Sequence, residues 1–208
     1  MKKNIITIER QYGSGGSMIG KLAAEKLGIS CYNRQILEMT AERCGIAPEY
    51  LENAEENVPT SFLYSLLLSA NPARTMEENL PLSDKVFLME SRIINEIAER
   101  EKQFVIVGRC GNYILEDKGC FNVYIYADPE VRVKRAVSEY GVSENKAESI
   151  MKKADKRRET FYNVKTGRLW QDKDHYALCL NSGVLGDELC AEMIVKAYLE
   201  YNKRFENK

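Results

Sequence analysis

Short runs of consecutive apolar residues alternate with longer amphipathic stretches along the chain. Unbroken apolar runs of roughly four to eight residues are typical of strands buried on both faces. Four such runs predict strands, at residues 4–9, 103–108, 121–127 and 176–181. Apolar residues at helical spacing predict helices at 17–27, 84–102, 129–140 and 187–203. This alternation indicates an α/β fold, in which a parallel sheet is covered by helices on both faces.

Composition and charge then narrow the class of protein. The chain has 208 residues, 44% of them hydrophobic and 29% charged, which is typical of one globular domain. The net charge of −1 leaves no overall field that would attract nucleic acid. No apolar run approaches the roughly 20 residues that cross a bilayer, so we expect no membrane partner. The N-terminus predicts a strand and not a signal peptide, and six scattered cysteines without metal-like spacing predict reduced thiols in a cytoplasmic protein.

Two further segments have compositions that differ from the predicted core. Residues 42–83 are acidic at first and then apolar and interrupted by prolines, whereas residues 150–168 carry seven basic side chains and two acidic ones. One interpretation is a helical excursion and a solvated helix face. The other is that both segments close over a bound ligand.

The stretch ERQYGSGGSMIGKLAAEKLG, residues 9–28, resembles a phosphate-binding loop that leads into a helix. The usual pattern, G-x-x-x-x-G-K-[ST], needs a lysine directly before a serine or threonine. In one register Gly15 to Gly20 and Lys21 match all of it except the last position, which is Leu22. In the other register the glycines at 13, 15 and 16 precede Ser17, and Gly16 stands where the lysine belongs.

Helix periodicity favours the second register. Ile19, Leu22, Ala23 and Leu27 recur on one face, so Lys21 lies on another face and a full turn inside the helix. The residues predicted to bind phosphate through backbone N–H groups are Gly13, Ser14, Gly15, Gly16 and Ser17. The Ser17 hydroxyl is also the predicted ligand of Mg²⁺. A glycine-rich turn with a purely structural role is the alternative.

Arginines follow two of the predicted strands. The guanidinium of Arg10 can grip phosphate oxygens in place of the absent lysine, or it can pair with a carboxylate such as Glu9 or Asp128. Arg109 follows the strand at 103–108 and is flanked by glycines, which suits a residue that holds an acceptor phosphate. A structural salt bridge is the alternative for Arg109.

With these motifs in this order, the sequence resembles the cytidylate kinase-like family of P-loop nucleoside monophosphate kinases. The resemblance covers nearly the whole chain, from ITIERQYGSGGSMIGKLAAEKLG through CYNRQIL, FVIVGRCGNYIL and VYIYADPEVRVKRA to DKRRETFY, LWQDKDHYALCLNSG and the last helix. It implies a three-layer P-loop NTPase fold with a parallel five-stranded sheet. It also implies a helical monophosphate-binding insertion at about 33–83 and a lid at about 141–170.

The resemblance also implies roles for several side chains. Arg109 matches the monophosphate site, and Arg34 matches the start of the monophosphate-binding segment. Asp155, Arg157 and Arg158 fall in the segment that resembles the lid, where Arg158 is the predicted catalytic arginine together with Arg10 and Arg109. An intrahelical pair between Asp155 and Arg158 is the alternative. Trp170 and Tyr162 either pack the lid or stack on a base.

Two residues depart from the family pattern. Gly16 replaces the loop lysine of better-known cytidylate kinases, although R-x-Y-G-S-G-G looks like the usual pattern of a divergent branch. Asn33 stands where many relatives carry aspartate, which puts metal handling in question. The implied activity is transfer of the γ-phosphoryl group of ATP, with Mg²⁺, to CMP or dCMP. A nucleotide-binding regulatory protein and a kinase of another small acceptor are the alternatives, and the sequence does not indicate an oligomeric state.

Overall fold

A central parallel sheet organises the molecule. The computed structural model describes residues 4–47 and 80–205. Five strands form one sheet in the order β2-β3-β1-β4-β5, and every neighbouring pair is parallel. Their bounds are β1 Ile5–Arg10, β2 Ser30–Tyr32, β3 Phe104–Val107, β4 Cys120–Tyr126 and β5 Leu178–Asn181. The prediction of a five-stranded parallel sheet is confirmed.

Eight helices in the described ranges connect and cover these strands. They are α1 Gly16–Leu27, α2 Arg34–Cys44, α3 Leu82–Arg100, α4 Gly111–Ile114, α5 Pro129–Ser138, α6 Glu144–Thr166, α7 Ser182–Leu185 and α8 Asp187–Lys203. Short 3₁₀ turns lie at Glu116–Lys118 and Lys173–His175. None of the helices in 4–47 and 80–205 is long and apolar enough to cross a bilayer.

The alternating side chains of β1 divide the core into two halves. Ile6 and Ile8 pack with Ile19 of α1 and Ile194 of α8 on one face of the sheet. Residues of odd number point to the opposite face because successive side chains of a strand alternate, so Ile5 packs there against α3. The result is a three-layer arrangement, with helices on both sides of the sheet.

The predicted insertion and lid map onto the structure only in part. Residues 48–79 of the insertion predicted at 33–83 lie outside the described residues, and α2 and α3 stand on either side of them. The lid predicted at 141–170 contains α6, which continues as one helix from Glu144 to Thr166. None of the six cysteines, all of which lie in the described ranges, forms a disulfide.

The order of the strands explains why the candidate functional residues lie at one edge of the sheet. β1 pairs directly with β3 and β4, so the residues that follow these strands meet at the same carboxyl edge. Arg10 ends β1, and Arg109 lies two residues after the end of β3. Ligands of open parallel sheets bind at this edge.

Candidate phosphate-binding site

The glycine-rich loop connects β1 to α1, which begins at Gly16, one residue earlier than predicted. Gly15 caps the helix with a φ of 76°, a left-handed conformation that favours glycine. Within the described ranges no protein acceptor pairs with the backbone N–H groups of Gly15, Gly16 and Ser17. These N–H groups stand at the positive end of the helix dipole, where an anion is stabilised.

Lys21 does not belong to this loop. Its ammonium lies 3.8 Å from the carboxylate of Glu25 on the following turn of α1, and both side chains are mostly exposed. This is the position that helix periodicity predicts. The register with glycines at 13, 15 and 16 is therefore the one that the structure adopts.

Helices α5 and α6 hold the loop through its backbone. Asp155 Oδ1 accepts from the N–H of Tyr12 at 2.7 Å, and Arg132 Nη1 donates to the carbonyl of Tyr12 at 3.3 Å. Arg132 also pairs with Asp155 Oδ2. From the next turn of α6, Arg158 Nη1 donates to the carbonyl of Arg10 at 3.1 Å. The ion-pair partner of Asp155 is thus Arg132, which the sequence analysis did not identify.

Two glycines make room for the side chain of Arg10. A Cβ atom on Gly16 would lie 2.4 Å from Cβ of Arg10, and one on Gly108 would lie 2.0 Å from Nη1 of Arg10. Both distances are far below van der Waals contact, so the arginine fills the space that larger residues would need. The residue in the place of the usual lysine is therefore a glycine for a steric reason.

A cavity of about 260 Å³ opens beside the loop, at the carboxyl edge of the sheet. We call it the arginine cavity, because its walls include Arg10, Arg109, Arg157 and Arg158. Glu9 also lines it. Three segments that are distant in sequence (the end of β1, the turn after β3, and α6) thus bring four guanidinium groups around one small space.

Arg10 and Arg158 are buried cations of the arginine cavity. No ion pair of Arg10 exists among the residues that the structure describes, and its buried Nε has no hydrogen-bond partner. Desolvation, partly opposed by Glu9, lowers the pKa of Arg10, and the charge of Arg109 lowers it further. Desolvation and the charge of Arg10 lower the pKa of Arg158 to about 9. Arg158 therefore remains charged at neutral pH, and an anion would stabilise both guanidinium groups.

Arg109 both forms a salt bridge and lines the arginine cavity. Its backbone φ of 61° is left-handed, a conformation that is uncommon for residues other than glycine. Nη1 donates to Glu90 Oε1 on α3 at 3.0 Å, and Glu90 is fully buried. Burial raises the pKa of Glu90 to about 8, and its other oxygen has no partner. Arg109 is thus held by the carboxyl group of Glu90 and also lines the arginine cavity.

Arg34 and Ser17 do not line the arginine cavity. They share a second, larger cavity of about 520 Å³ with Asn33, which we call the Ser17 cavity. The Arg34 side chain is 68% exposed and pairs with Glu38 of its own helix at 3.4 Å. The structure therefore does not bring Arg34 to the arginine cavity.

The residues near Ser17 fit a magnesium ion that is carried by a nucleotide. No group of three or more His, Cys, Asp or Glu in the described part of the chain is arranged to hold a metal. The exposed hydroxyl of Ser17 and the amide of Asn33 both line the Ser17 cavity and offer neutral oxygen atoms. Mg²⁺ commonly takes few protein ligands and completes its shell with phosphate oxygens and water.

The side chains of Trp170 and Tyr162 are buried and pack in one hydrophobic cluster. Trp170 is 1% exposed, and its Nε1 donates to Glu9 Oε2 at 3.0 Å. The Tyr162 hydroxyl accepts from Asn112 Nδ2 at 2.9 Å. From the sequence, Glu9 was predicted only as a possible partner of Arg10. A charged residue within an otherwise apolar strand was the signal that could have identified it.

Comparisons with known proteins agree with this geometry. The model of the Cytidylate kinase-like family matches residues 5–184. A cytidylate kinase from Archaeoglobus fulgidus is 28% identical over 198 residues, which are 92% of this chain and 93% of that protein. Its name describes that protein's activity.

Solved structures extend the comparison to the fold. A crystal structure of an uncharacterised protein from Eubacterium ventriosum is 26% identical, with a TM-score of 0.68 over 94% of this chain and 98% of its own. Shikimate kinase from Acinetobacter baumannii, in complex with shikimate, has a TM-score of 0.54 at 14% identity, with coverage of 96% and 94%. That likeness shows the fold alone.

The family match spans the glycine-rich loop, all five strands and α6, and the sheet is that of the P-loop kinases. Family and fold together support a nucleotide kinase. The chain belongs to the cytidylate kinase-like family.

Proposed function

We propose that this protein transfers the γ-phosphoryl group of ATP to CMP or dCMP. The observation that carries the proposal is the convergence of four guanidinium groups on one small cavity beside a loop with open N–H groups. Phosphoryl transfer requires mainly positioning and neutralisation of phosphate charge, because little covalent chemistry falls to the protein. A cationic cavity at the end of a phosphate-binding loop meets that requirement.

The donor phosphates are assigned to the loop. The open backbone N–H groups of Gly15, Gly16 and Ser17 would bind their oxygens, with Gly13 and Ser14 completing the loop, and Arg10 would supply the charge that a lysine supplies in the usual loop. Arg158 donates to the carbonyl of Arg10 and lines the same cavity, and in this proposal it would neutralise the group in transfer. Ser17, with Asn33 nearby, would hold the Mg²⁺ that accompanies ATP and offsets phosphate charge.

The acceptor phosphate is assigned to Arg109. The same cavity contains Arg157, which would contact either phosphate chain, while Asp155 keeps α6 fixed to the loop through Tyr12. Arg34 would contact the acceptor from the Ser17 cavity. The bounds of the monophosphate-binding insertion, about 33–83, and of the lid, about 141–170, belong to this proposal.

A monophosphate acceptor suits the residues that are present. One of its phosphate oxygens is already ionised near neutral pH, so the attack needs no side chain to remove a proton. His175, the only histidine of the chain, lies in a 3₁₀ turn before β5, and it does not line the arginine cavity. The steric fit between Arg10 and Gly16 further supports a functional loop that is adapted to Arg10, as opposed to a loop that has lost its function.

The test is ADP formation with Mg²⁺ and ATP across a panel of nucleoside monophosphates. We expect CMP and dCMP to give the highest kcat/KM, with UMP, AMP and GMP lower. Turnover with none of them would contradict the proposal. Tight ATP binding by calorimetry, together with no product over hours, would instead identify a regulatory nucleotide-binding protein.

A further inference from the structure

Glu9 brings a negative charge to the arginine cavity. It is the last residue but one of β1, it is 4% exposed, and it lines the cavity together with the four arginines. Oε2 accepts a hydrogen bond from Trp170 Nε1 at 3.0 Å. A buried carboxylate in a cavity that is to receive phosphate opposes the incoming charge, so its presence needs an explanation.

The groups that face Glu9 come from every element around the cavity. The cations are Arg10 of β1, Arg109 after β3 and Arg158 of α6. The neutral titratable groups that sense its charge are Cys110 after β3, Tyr124 of β4, Tyr162 of α6 and Tyr176 before β5. Within the described ranges, Glu9 is therefore the acidic group of a cationic cavity.

We propose that Glu9 is a specificity-determining residue that sets how much negative charge a bound anion must carry. Its carboxylate cancels part of the positive field of the arginines. Anions of low charge then gain too little to bind well, whereas the phosphate chain of a nucleotide carries enough charge to overcome the opposition. This inference rests on the proposed function, because it takes the arginine cavity as the phosphate site.

The hydrogen bond from Trp170 makes a clean substitution possible. In Glu9→Gln the side-chain oxygen still accepts from Nε1, and the shape of the residue is nearly unchanged. Only the charge is lost. Glu9→Gln should therefore bind sulfate, a divalent anion, about tenfold more tightly than the natural protein at pH 8.

Protonation of Glu9 should have the same effect as this substitution. Burial raises the pKa of Glu9, against the opposing effect of Arg10 and of the Trp170 hydrogen bond. As the pH falls through that raised pKa the carboxylate becomes neutral, and the net positive charge of the cavity increases. Sulfate keeps its charge between pH 5 and pH 8, so its affinity for the natural protein should rise as the pH falls. In Glu9→Gln this rise should be smaller, and the part that remains belongs to Glu90, which pairs with Arg109 and whose pKa burial raises to about 8.

The experiment is calorimetry of sulfate binding to the full chain at pH 8 and at pH 5, for three proteins. They are the natural sequence, Glu9→Gln and the control Glu96→Gln. The control makes the same chemical change at a carboxylate that is 52% exposed and pairs with Arg43, outside the cavity. We expect the control to bind like the natural protein and Glu9→Gln to bind more tightly at pH 8.

Each outcome separates this inference from the function on which it rests. Equal or weaker sulfate binding by Glu9→Gln, with clear binding by the natural protein, overturns only the role of Glu9. If none of the three proteins binds sulfate or pyrophosphate, the assignment of the phosphate site is overturned, and this inference with it. If Glu9→Gln does not fold, the pH profile of the natural protein decides, with Glu90→Gln as the comparison. A flat profile, or one that Glu90→Gln abolishes, overturns the proposal.

Discussion

The two cavities beside the glycine-rich loop use arginine in opposite ways. In the arginine cavity, Arg10 has a buried Nε without a partner and no ion pair among the described residues. In the Ser17 cavity, Arg34 is 68% exposed and pairs with Glu38 one helical turn away. Arg10 was predicted to grip phosphate oxygens, and Arg34 was predicted to bind the acceptor at the start of the monophosphate-binding segment. Their surroundings differ in dielectric environment, in counter-charge and in the number of segments that meet there.

The difference predicts which arginines depend on a ligand. An exposed ion pair on one helix contributes little and is already satisfied without any anion. A desolvated guanidinium beside other guanidiniums is stabilised when an anion arrives, so binding and charge neutralisation are coupled. We therefore expect substitutions in the two cavities to differ by orders of magnitude in their effect on turnover.

The largest effect is expected from Arg10→Gln. Loss of this charge removes the group that stands in for the loop lysine, and kcat should fall about 10³-fold, as is common for a lost electrostatic clamp. The matched control is Arg34→Gln, which removes the same charge from the Ser17 cavity. Steady-state ADP formation measures both, and a similar loss in the two variants would contradict the distinction between the cavities.

A smaller loss is expected from Gly16→Ala. The new Cβ would meet Cβ of Arg10 at 2.4 Å, so the arginine must move, and we expect kcat/KM to fall about 10²-fold. Gly183→Ala is the control, because its Cβ would meet neighbours at no less than 3.2 Å. Gly16→Lys, which restores the usual lysine, should also lose activity. A gain of turnover in Gly16→Lys would show that the loop had lost a lysine rather than been rebuilt around Arg10.

A pH titration sharpens the comparison at Arg158. Its pKa is lowered to about 9, so above this pH the guanidinium loses its proton and its attraction for anions. The affinity for sulfate should fall by up to about tenfold between pH 9 and pH 10. In Arg158→Gln, binding should be weaker at pH 8 and its fall above pH 9 should be smaller. A profile above pH 9 that is the same in both proteins would show that Arg158 does not face the anion.

The smallest effect is expected from Arg34→Ala. The exposed pair with Glu38 should contribute no more than about 0.5 kcal/mol to the free energy of unfolding. A role in acceptor binding would raise the KM for the acceptor about fivefold and leave kcat unchanged. Urea unfolding and steady-state kinetics measure the two quantities. A fall in kcat comparable with that of Arg10→Gln would place Arg34 at the reacting phosphate.

The sequence predicted the layers of the fold well, because buried parallel strands leave unbroken apolar runs. The bounds of α8 were predicted as 187–203, which is where it lies. β2 was not identified as a strand, since it has only three residues and occupies the edge of the sheet, where no apolar run is required. The glycine register was also predicted correctly, because the amphipathic face of α1 places Lys21 on the wrong side of the helix.

The contacts within the site were harder to predict. Arg132 and Asp155 are 23 residues apart, and their pairing across the loop depends on how α5 and α6 pack. Glu90 reaches Arg109 from a helix that no local pattern connects to β3. The close approach of Arg10 to Gly16 and Gly108 depends on the conformation of the arginine side chain. The hydrophobic periodicity of the sequence carries no information about that conformation. The sequence indicated most of the charged residues of the site, but not the pairs that Asp155 forms with Arg132 and Glu90 with Arg109.

The most direct test of the account is a crystal structure with a non-hydrolysable ATP analogue, Mg²⁺ and CMP bound. We expect the β- and γ-phosphates on the N–H groups of residues 13–17, with the Arg10 guanidinium within hydrogen-bond distance of a phosphate oxygen and Arg109 at the acceptor phosphate. A phosphate chain that lies on this loop while Arg10 contacts no phosphate oxygen would contradict the central claim.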